Sequence, residues 1–228
     1  MCVRLTFERT LYMRIKNTYI RDRYSATLTN RPVGMFGRNT CNMDTKSLII
    51  DTATTLFQQK GYKSVGLSEI LKTCNVTKGA LYHHFPKGKE ELLIACLHAL
   101  NEAITTDIET IFKAYSSTQE ATQAMIDKLI HNFDTESTLS GYTFSSIVSE
   151  MATVSEPVRN ACSALYENIQ RIHREKLVAE GVSSESASAI ALLMTASVEG
   201  AMMLCRTQNS TDPLKTIAQL VPNLLKSF

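Results

Sequence analysis

The feature that most constrains the fold is a pair of short helical patterns, three residues apart, within residues 61–92. The segment reads GYKSVGLSEILKTCNVTKGALYHHFPKGKEEL. One longer amphipathic pattern precedes it and another follows it, so that a long helix would brace the short pair. This order predicts a helix-turn-helix, the arrangement that places its second helix in the major groove of DNA.

Capping and breaking residues define the ends of these helices. Ser68 can cap the first short helix and Thr77 the second, because a hydroxyl oxygen accepts a hydrogen bond from a backbone N–H of the first turn. Asn75 suits the turn between them, since Asn adopts the left-handed conformation more readily than most residues. Pro86 ends the second short helix, and Gly61 is placed to end the long helix before the pair.

The rest of the chain also has a helical pattern. Nine Gly and five Pro are few for 228 residues, and 44% of the residues are hydrophobic, which is enough for a large core. Apolar residues recur three or four positions apart over most of the length. The sequence therefore predicts an all-α protein with helices over 44–60, 68–73, 77–84, 87–112, 119–132, 142–154, 158–179, 184–207 and 213–226.

Three parts of the chain differ in charge. Residues 1–42 carry eight basic and two acidic side chains, and residues 44–90 carry seven basic and four acidic ones. Residues 91–228 carry nine basic and sixteen acidic side chains. A basic amino-terminal part on an acidic body indicates that one end of the molecule meets a polyanion. We divide the chain into an extension (1–42), a helix-turn-helix domain (43–90) and a larger helical domain for regulation and dimerisation (91–228).

The extension is basic and aromatic, with neither a sustained helical stripe nor the apolar run of a signal peptide. We interpret it as a disordered tail, or as the product of an upstream start codon, because Met43 immediately precedes the first well-formed helix. A basic arm that contacts DNA phosphates is the alternative.

The sequence contains no motif of an enzyme or of a metal site. The six cysteines are scattered, without a CxxC pair or a His at zinc-ligand spacing, and we expect reduced, buried thiols in a cytoplasmic protein. The chain also contains no HExxH, no phosphate-binding Gly-rich loop and no Ser-His-Asp signature. We expect no enzymatic activity, no cofactor and no metal.

The segment 184–207 is apolar nearly all round. A membrane span is disfavoured, because the apolar run is shorter than about 20 residues and contains Glu199. Such a helix is buried on several sides, which favours an interface between subunits. Pairing with 158–179 would form a four-helix bundle across a two-fold axis, with contacts from Leu165, Ile169, Ile172, Ile190, Met194 and Val198.

The order of an apolar helix, Gly-Tyr and LSEILKTCNVTKGALYHHFPKGKEEL resembles the DNA-binding domain of the TetR family of bacterial transcriptional regulators, over residues 44–92. In that family the recognition helix reads S/T-K-G-x-L/I-Y-x-H/Y-F and is followed by K-E-x-L. Asn75 replaces the usual turn Gly, and Gly88 adds one residue before Lys89. This added residue and the segment VEGAMMLCRTQNSTDPL resemble an LmrA/YxaF-like subgroup of drug-resistance repressors.

The resemblance implies which residues meet DNA. The outward side chains of the second short helix suit this role, since hydroxyl, phenol, Lys and His groups bind phosphates or base edges. Gly79 is implied because a side chain would block close approach, and Lys89 because it would bind phosphate at a helix amino terminus. The implied set is Ser68, Thr77, Lys78, Gly79, Tyr82, His83 and Lys89.

A ligand pocket is expected between the helices over 93–112, 119–132 and 142–154. Met and aromatic side chains adapt to varied apolar ligands. Each of these residues could equally belong to an ordinary core. The expected lining is Phe112, Phe133, Phe144, Ile147, Met151 and Met202.

These features predict a cytoplasmic, homodimeric repressor that leaves a palindromic double-stranded DNA operator when a small apolar inducer binds. The sequence does not encode the sign of regulation. An activator, a regulator controlled by a partner protein, and a helical interaction protein that does not bind DNA are therefore the alternatives.

Overall fold

Helices make up nearly all of the structure, a computed structural model that describes residues 44–136, 147–148, 150–151, 153 and 155–226. No residue in these ranges is in a β-strand, which confirms the all-α prediction. The extension 1–42 and most of the predicted helix 142–154 lie outside the described residues, although residues 147–148 and 150–151 are helical. The helices with defined ends are α1 (Thr45–Lys60), α2 (Leu67–Cys74), α3 (Lys78–His84), α4 (Lys89–Ala114), α5 (Thr118–Glu136), α6 (Glu156–Ala179), α7 (Ser184–Gln208) and α8 (Asp212–Lys226).

Local capping in the helix-turn-helix follows the sequence at three of its boundaries. The Thr77 side chain accepts a hydrogen bond from the Ala80 backbone N–H at 3.2 Å and so caps α3. Asn75 ends α2 in the left-handed conformation, with φ 54° and ψ 43°. Gly61 ends α1 with φ 77°. The conformations at these three boundaries therefore follow from the local sequence.

Helices α2 and α4 begin elsewhere than predicted. Helix α2 starts at Leu67, after Gly66, so Ser68 is not its cap. Helix α4 starts at Lys89 rather than at residue 87, because Gly88 has φ 77° and ψ −136°. Glycine adopts this backbone region far more readily than any other residue. A Cβ on Gly88 would lie 3.7 Å from Tyr82, an ordinary contact, so the backbone conformation rather than crowding requires glycine.

The buried apolar residues form two cores that α4 and α6 share. The first core contains residues of α1, α2 and α3 with the amino-terminal halves of α4 and α6. The second contains residues of α5, α7 and α8 with the carboxyl-terminal halves of α4 and α6. Ile104 of α4 and Ile169 of α6 pack against both cores. The helix-turn-helix is thus connected to the rest of the chain by two long packed helices.

A buried polar contact lies close to the level at which the two cores meet. Asn101 of α4 is 9% exposed. Its side-chain oxygen accepts hydrogen bonds from the Thr105 hydroxyl at 2.9 Å and from the Asn168 amide of α6 at 3.3 Å. Sliding α4 along α6 would leave these groups unpaired in a poorly solvated site, which costs free energy. The contact therefore fixes the register of the two helices.

The described cysteines are buried and free, as predicted: Cys74, Cys96, Cys162 and Cys205. Burial raises the pKa of the Cys96 thiol to about 12 and that of Cys162 to about 11. Thiols of this kind stay protonated at neutral pH and react slowly, because the thiolate is the nucleophile.

Replacing Gly88 by Ala should lower the free energy of unfolding by about 1–3 kcal/mol, because a side chain strains this backbone conformation. Gly66→Ala is the matched control, since Gly66 also precedes a helix but has φ −91° and ψ 154°, which suit any residue. Urea unfolding followed by circular dichroism measures both variants. Equal losses of stability would contradict the role of the Gly88 conformation.

Candidate nucleic-acid interface

Helix α3 has one buried side and one exposed side. Leu81, and Phe85 just after the helix, are 0% and 1% exposed and belong to the first core. This packing turns the opposite side of the helix to solvent. The residues exposed there include all those on this helix and its cap that were predicted to contact DNA: Thr77, Lys78, Gly79, Tyr82 and His83.

The exposed side chains of α3 are neighbours with complementary chemistry. The Lys78 ammonium lies 5.8 Å from the centroid of the Tyr82 ring, within the range of a cation–π contact. The Thr77 hydroxyl oxygen accepts a hydrogen bond from the Ala80 backbone N–H. The hydroxyl hydrogen is therefore available for donation to a phosphate. The His83 ring meets the His84 ring edge-on, with centroids 5.0 Å apart. Ser68, on α2, is exposed as well.

Gly79 is a glycine that the protein itself does not require. It lies inside α3, and a Cβ at this position would have only the Thr77 hydroxyl oxygen nearby, at 4.0 Å. A helix interior disfavours Gly relative to Ala by roughly 1 kcal/mol. Its presence on the exposed side therefore leaves the backbone of α3 open to close approach by another molecule.

The ammonium group of Lys89, which was predicted to bind phosphate, contacts other residues of the protein. It donates a hydrogen bond to the Tyr62 carbonyl at 2.5 Å and lies 4.0 Å from the centroid of the Tyr62 ring and 5.9 Å from that of Phe57. Partial burial lowers the pKa of Lys89, and the nearby carboxylate of Glu150 opposes this shift. Lys89 thus connects α4 to the end of α1 instead of offering a free phosphate contact.

Lys87 is a basic residue that the sequence analysis did not select. It is exposed, and its backbone N–H donates to the Glu91 carboxylate at 2.8 Å. The signal was the added Gly88: with one more residue in the turn before α4, the exposed basic side chain is at 87 and the partly buried one is at 89.

The segment before α6 contacts the helix-turn-helix domain through two carboxylates. One carboxylate oxygen of Glu150 accepts a hydrogen bond from the Lys63 backbone N–H at 3.4 Å. The other oxygen lies so close to Gly61 that a Cβ added there would be 3.1 Å from it. The Ser155 hydroxyl donates to Glu90 of α4 at 2.6 Å. The segment before α6 therefore contacts the turn after α1 as well as the start of α4.

The residues predicted to line a ligand pocket are divided between the two cores. Ile147 and Met151 are buried in the first core with the helix-turn-helix residues. Phe112, Met202 and the partly buried Phe133 belong to the second core. The prediction assigned the segment 142–154 to the pocket wall, whereas its described residues pack toward the helix-turn-helix. Phe144 lies outside the described residues.

An open groove of about 450 Å³ lies between α7 and α8. None of the residues predicted to line a ligand pocket borders it. Its walls include Ala196, Gly200 and Leu204 of α7 and Pro213 and Ile217 of α8. Within the described ranges no group of three or more His, Cys, Asp or Glu side chains is arranged to hold a metal ion.

The residues predicted to contact a partner subunit lie inside the subunit instead. Five are at most 8% exposed, and Ile169 is partly buried between the two cores. Because α7 is apolar all round, its sequence gives no periodicity from which to choose an outward face, and the predicted subunit contacts stay a prediction. The buried five are Leu165, Ile172, Ile190, Met194 and Val198. The exposed apolar face of α7 consists of Leu192, Leu193, Met203 and Leu204, which are 45–57% exposed.

Comparisons with known proteins match both halves of the described chain. The family described as "Bacterial regulatory proteins, tetR family" matches residues 49–96, and "Transcriptional regulator LmrA/YxaF-like, C-terminal domain" matches residues 118–220. Two Bacillus subtilis (strain 168) relatives, "Uncharacterized HTH-type transcriptional regulator YxaF" and "HTH-type transcriptional regulator LmrA", are each 33% identical over 183 residues. These cover 80% of this chain and 96% and 97% of those proteins.

A third relative is the "HTH-type transcriptional repressor NemR" of Escherichia coli (strain K12). It is 30% identical over 122 residues, which are 52% of this chain and 59% of its own length. The crystal structure of the reduced form of E. coli NemR aligns with a TM-score of 0.71 and 24% identity, over 79% of this chain and 97% of that one. This structural likeness shows that the two proteins share a fold.

Lys89→Ala should lower the free energy of unfolding by about 1–3 kcal/mol, because it removes a hydrogen bond from a charged donor and a cation–π contact. Lys87→Ala is the matched control and should change stability little, since the side chain of Lys87 is exposed. Chemical denaturation measures both. If the two variants unfold at the same denaturant concentration, Lys89 has no structural role.

Proposed function

The chain belongs to the TetR family of bacterial regulatory proteins, and we propose that it is a homodimeric repressor that leaves a palindromic operator when a small apolar molecule binds. As a family member with an LmrA/YxaF-like C-terminal domain, it is a DNA-binding transcriptional regulator and not an enzyme. The observation that carries the proposal is the exposed side of α3, which the buried Leu81 and Phe85 hold outward.

Helix α3 is proposed to enter the major groove. Lys78, Tyr82 and His83 would meet base edges and phosphates, and Thr77 would donate to a phosphate. Gly79 would let the helix backbone approach the DNA closely. Lys87, rather than Lys89, would supply the phosphate contact at the turn before α4, because its side chain is the exposed one of the two. Ser68 on α2 offers a further phosphate contact.

The homodimer is proposed to form through the exposed apolar face of α7. One helix-turn-helix reads only a few base pairs, so a specific operator normally needs two of them on a two-fold axis. In the described part of the chain, α7 is also the one helix long and apolar enough to cross a membrane, and 44% of its apolar window is already buried. Pairing of two such faces removes apolar surface from water and places the α7–α8 groove beside the partner.

Repression and release follow from the connection between the two cores. Helix α4 begins beside the helix-turn-helix, at Lys89, and Phe112 near its other end lies in the second core. A ligand that prefers one tilt of α4 would change the position of α3, and ligand and DNA would then weaken each other's binding reciprocally. The relative NemR is a transcriptional repressor by name, which supports this sign of regulation. A regulator that binds chromosomal DNA operates in the cytoplasm.

Selection of bound sequences from random DNA tests the proposed function. The chain should enrich a palindrome, and Gly79→Ala should abolish the enrichment, because the added methyl group blocks close approach. The same variant should unfold at an equal or higher denaturant concentration, since Ala favours a helix over Gly by up to about 1 kcal/mol. Recovery of no enriched sequence by the unmodified chain would refute DNA recognition.

Met203→Glu should convert the proposed dimer into a monomer, because the interface would have to bury an unpaired carboxylate. Tyr115→Glu is the matched control: Tyr115 is also an exposed apolar side chain, 42% exposed, but it lies outside the α7 face. Sedimentation velocity distinguishes the two states. A Met203→Glu chain that remains dimeric at micromolar concentration would place the interface elsewhere.

A further inference from the structure

Two buried polar atoms in the second half of the molecule have no hydrogen-bond partner among the described residues. They are Nε2 of His173 on α6 and Oγ1 of Thr122 on α5. His173 is 1% exposed and Thr122 is 0% exposed. Buried polar atoms are almost always paired, because leaving one unpaired costs free energy. Two such atoms on helices that surround one apolar core therefore need an explanation.

The hydrogen bond made by His173 defines what its other nitrogen offers. Nδ1 lies 2.9 Å from the carbonyl oxygen of Ile169. A carbonyl accepts only, so Nδ1 carries the hydrogen and donates it. Burial lowers the pKa of His173, although the bond to Ile169 opposes the shift. The ring is therefore neutral at physiological pH, and Nε2 is an acceptor without a hydrogen.

Both residues lie toward the end of the molecule at which α5 and α6 are joined. The Thr118 backbone N–H and hydroxyl both donate to the Glu180 carboxylate, at 2.5 and 2.8 Å, and join the start of α5 to the residue after α6. Thr122 lies about one turn along α5 from this contact, and His173 about two turns back along α6. The ring of Phe112, near the end of α4, meets the His173 ring edge-on with centroids 4.7 Å apart.

The second core, to which Phe112 belongs, is apolar and deformable. Met125 of α5 and Met194 and Met202 of α7 are buried in this core. Unbranched methionine side chains change rotamer readily and fill irregular space. A small molecule could therefore be admitted by movement of these side chains, without unfolding of a helix. The contact of Phe112 with His173 places the carboxyl-terminal end of α4 next to this region, and the other end of α4 lies beside the helix-turn-helix.

We propose that His173 and Thr122 form the polar end of the ligand site, and that the ligand is a neutral, largely apolar molecule whose hydroxyl or amide N–H donates to Nε2 of His173. This inference rests on the proposed function and specifies the chemistry of its ligand. A carboxylate is excluded, because it cannot donate to Nε2 and would lose its hydration in an apolar core. The Thr122 hydroxyl, which can donate and accept, pairs with a second polar atom of the ligand.

Phenol and toluene test this chemistry, since they have nearly the same size and only phenol donates a hydrogen bond. Binding to the full chain is measured by titration of ¹³C-methyl methionine signals, with Met125, Met194 and Met202 as reporters. The unmodified protein should bind phenol about fivefold more tightly than toluene. His173→Leu should reverse this order, because toluene loses less hydration on entering a purely apolar site. Thr122→Val should reduce the preference for phenol.

Matched variants separate a ligand contact from a structural role. His173→Asn keeps an amide near the position of Nδ1 but has no counterpart of Nε2, so it should lose the phenol preference even if His173→Leu folds poorly. Thr195→Val removes a buried hydroxyl that already donates to the Ala191 carbonyl at 2.8 Å, and should leave the preference unchanged.

The inference is overturned if the unmodified chain binds neither probe, if it binds toluene at least as tightly as phenol, or if phenol is still preferred in both His173 variants. A gel shift with the selected operator is run in parallel. A chain that binds DNA but shows no preference for phenol refutes this site alone, whereas a chain that binds no DNA refutes the proposed function.

Discussion

The packing of α4 against α6 is the interaction on which the rest of the structure depends. Each helix contributes its amino-terminal half to one core and its carboxyl-terminal half to the other. The buried contact between Asn101 and Asn168 fixes their register near the boundary. Because helices resist bending and the register is fixed, displacement of either helix in one core must also appear in the other. The helix pair thus supplies a physical path between a ligand site and the DNA-reading surface.

The junction at the start of α4 shows how an added residue changes the use of a motif. Gly88 inserts a non-helical residue before α4, and Lys89 then lies against Tyr62 and Phe57 instead of facing outward. Its charge is partly enclosed, and Glu150 of the segment before α6 lies close enough to act on it. The residue at the position that the family motif assigns to DNA therefore also joins α4 to the end of α1. Lys87 is the exposed lysine of this turn.

The helix boundaries at Gly61, Asn75 and Thr77 and the side of α3 that faces solvent were predictable, because caps, turns and amphipathic periods depend on residues a few positions apart. Asn75, Thr77 and Gly61 act as their sequence context indicates. The partner face of α7 and the membership of each core were not predictable. Leu192 and Met194 are equally apolar, yet one is 56% exposed and the other 2%. Only the neighbours supplied by α6 and α8 distinguish them.

The sequence by itself determined the all-helical fold, the helix-turn-helix and the residues that α3 presents, because each follows from local periodicity and from chemistry that needs no distant partner. Tertiary structure decided the rest: that the Lys89 ammonium contacts Tyr62, that Ile147 and Met151 pack with the helix-turn-helix, and that one ring nitrogen of His173 has no partner among the described residues. Enclosure and unpaired atoms are properties of packing between helices far apart in the chain. They arise only when the long helices meet.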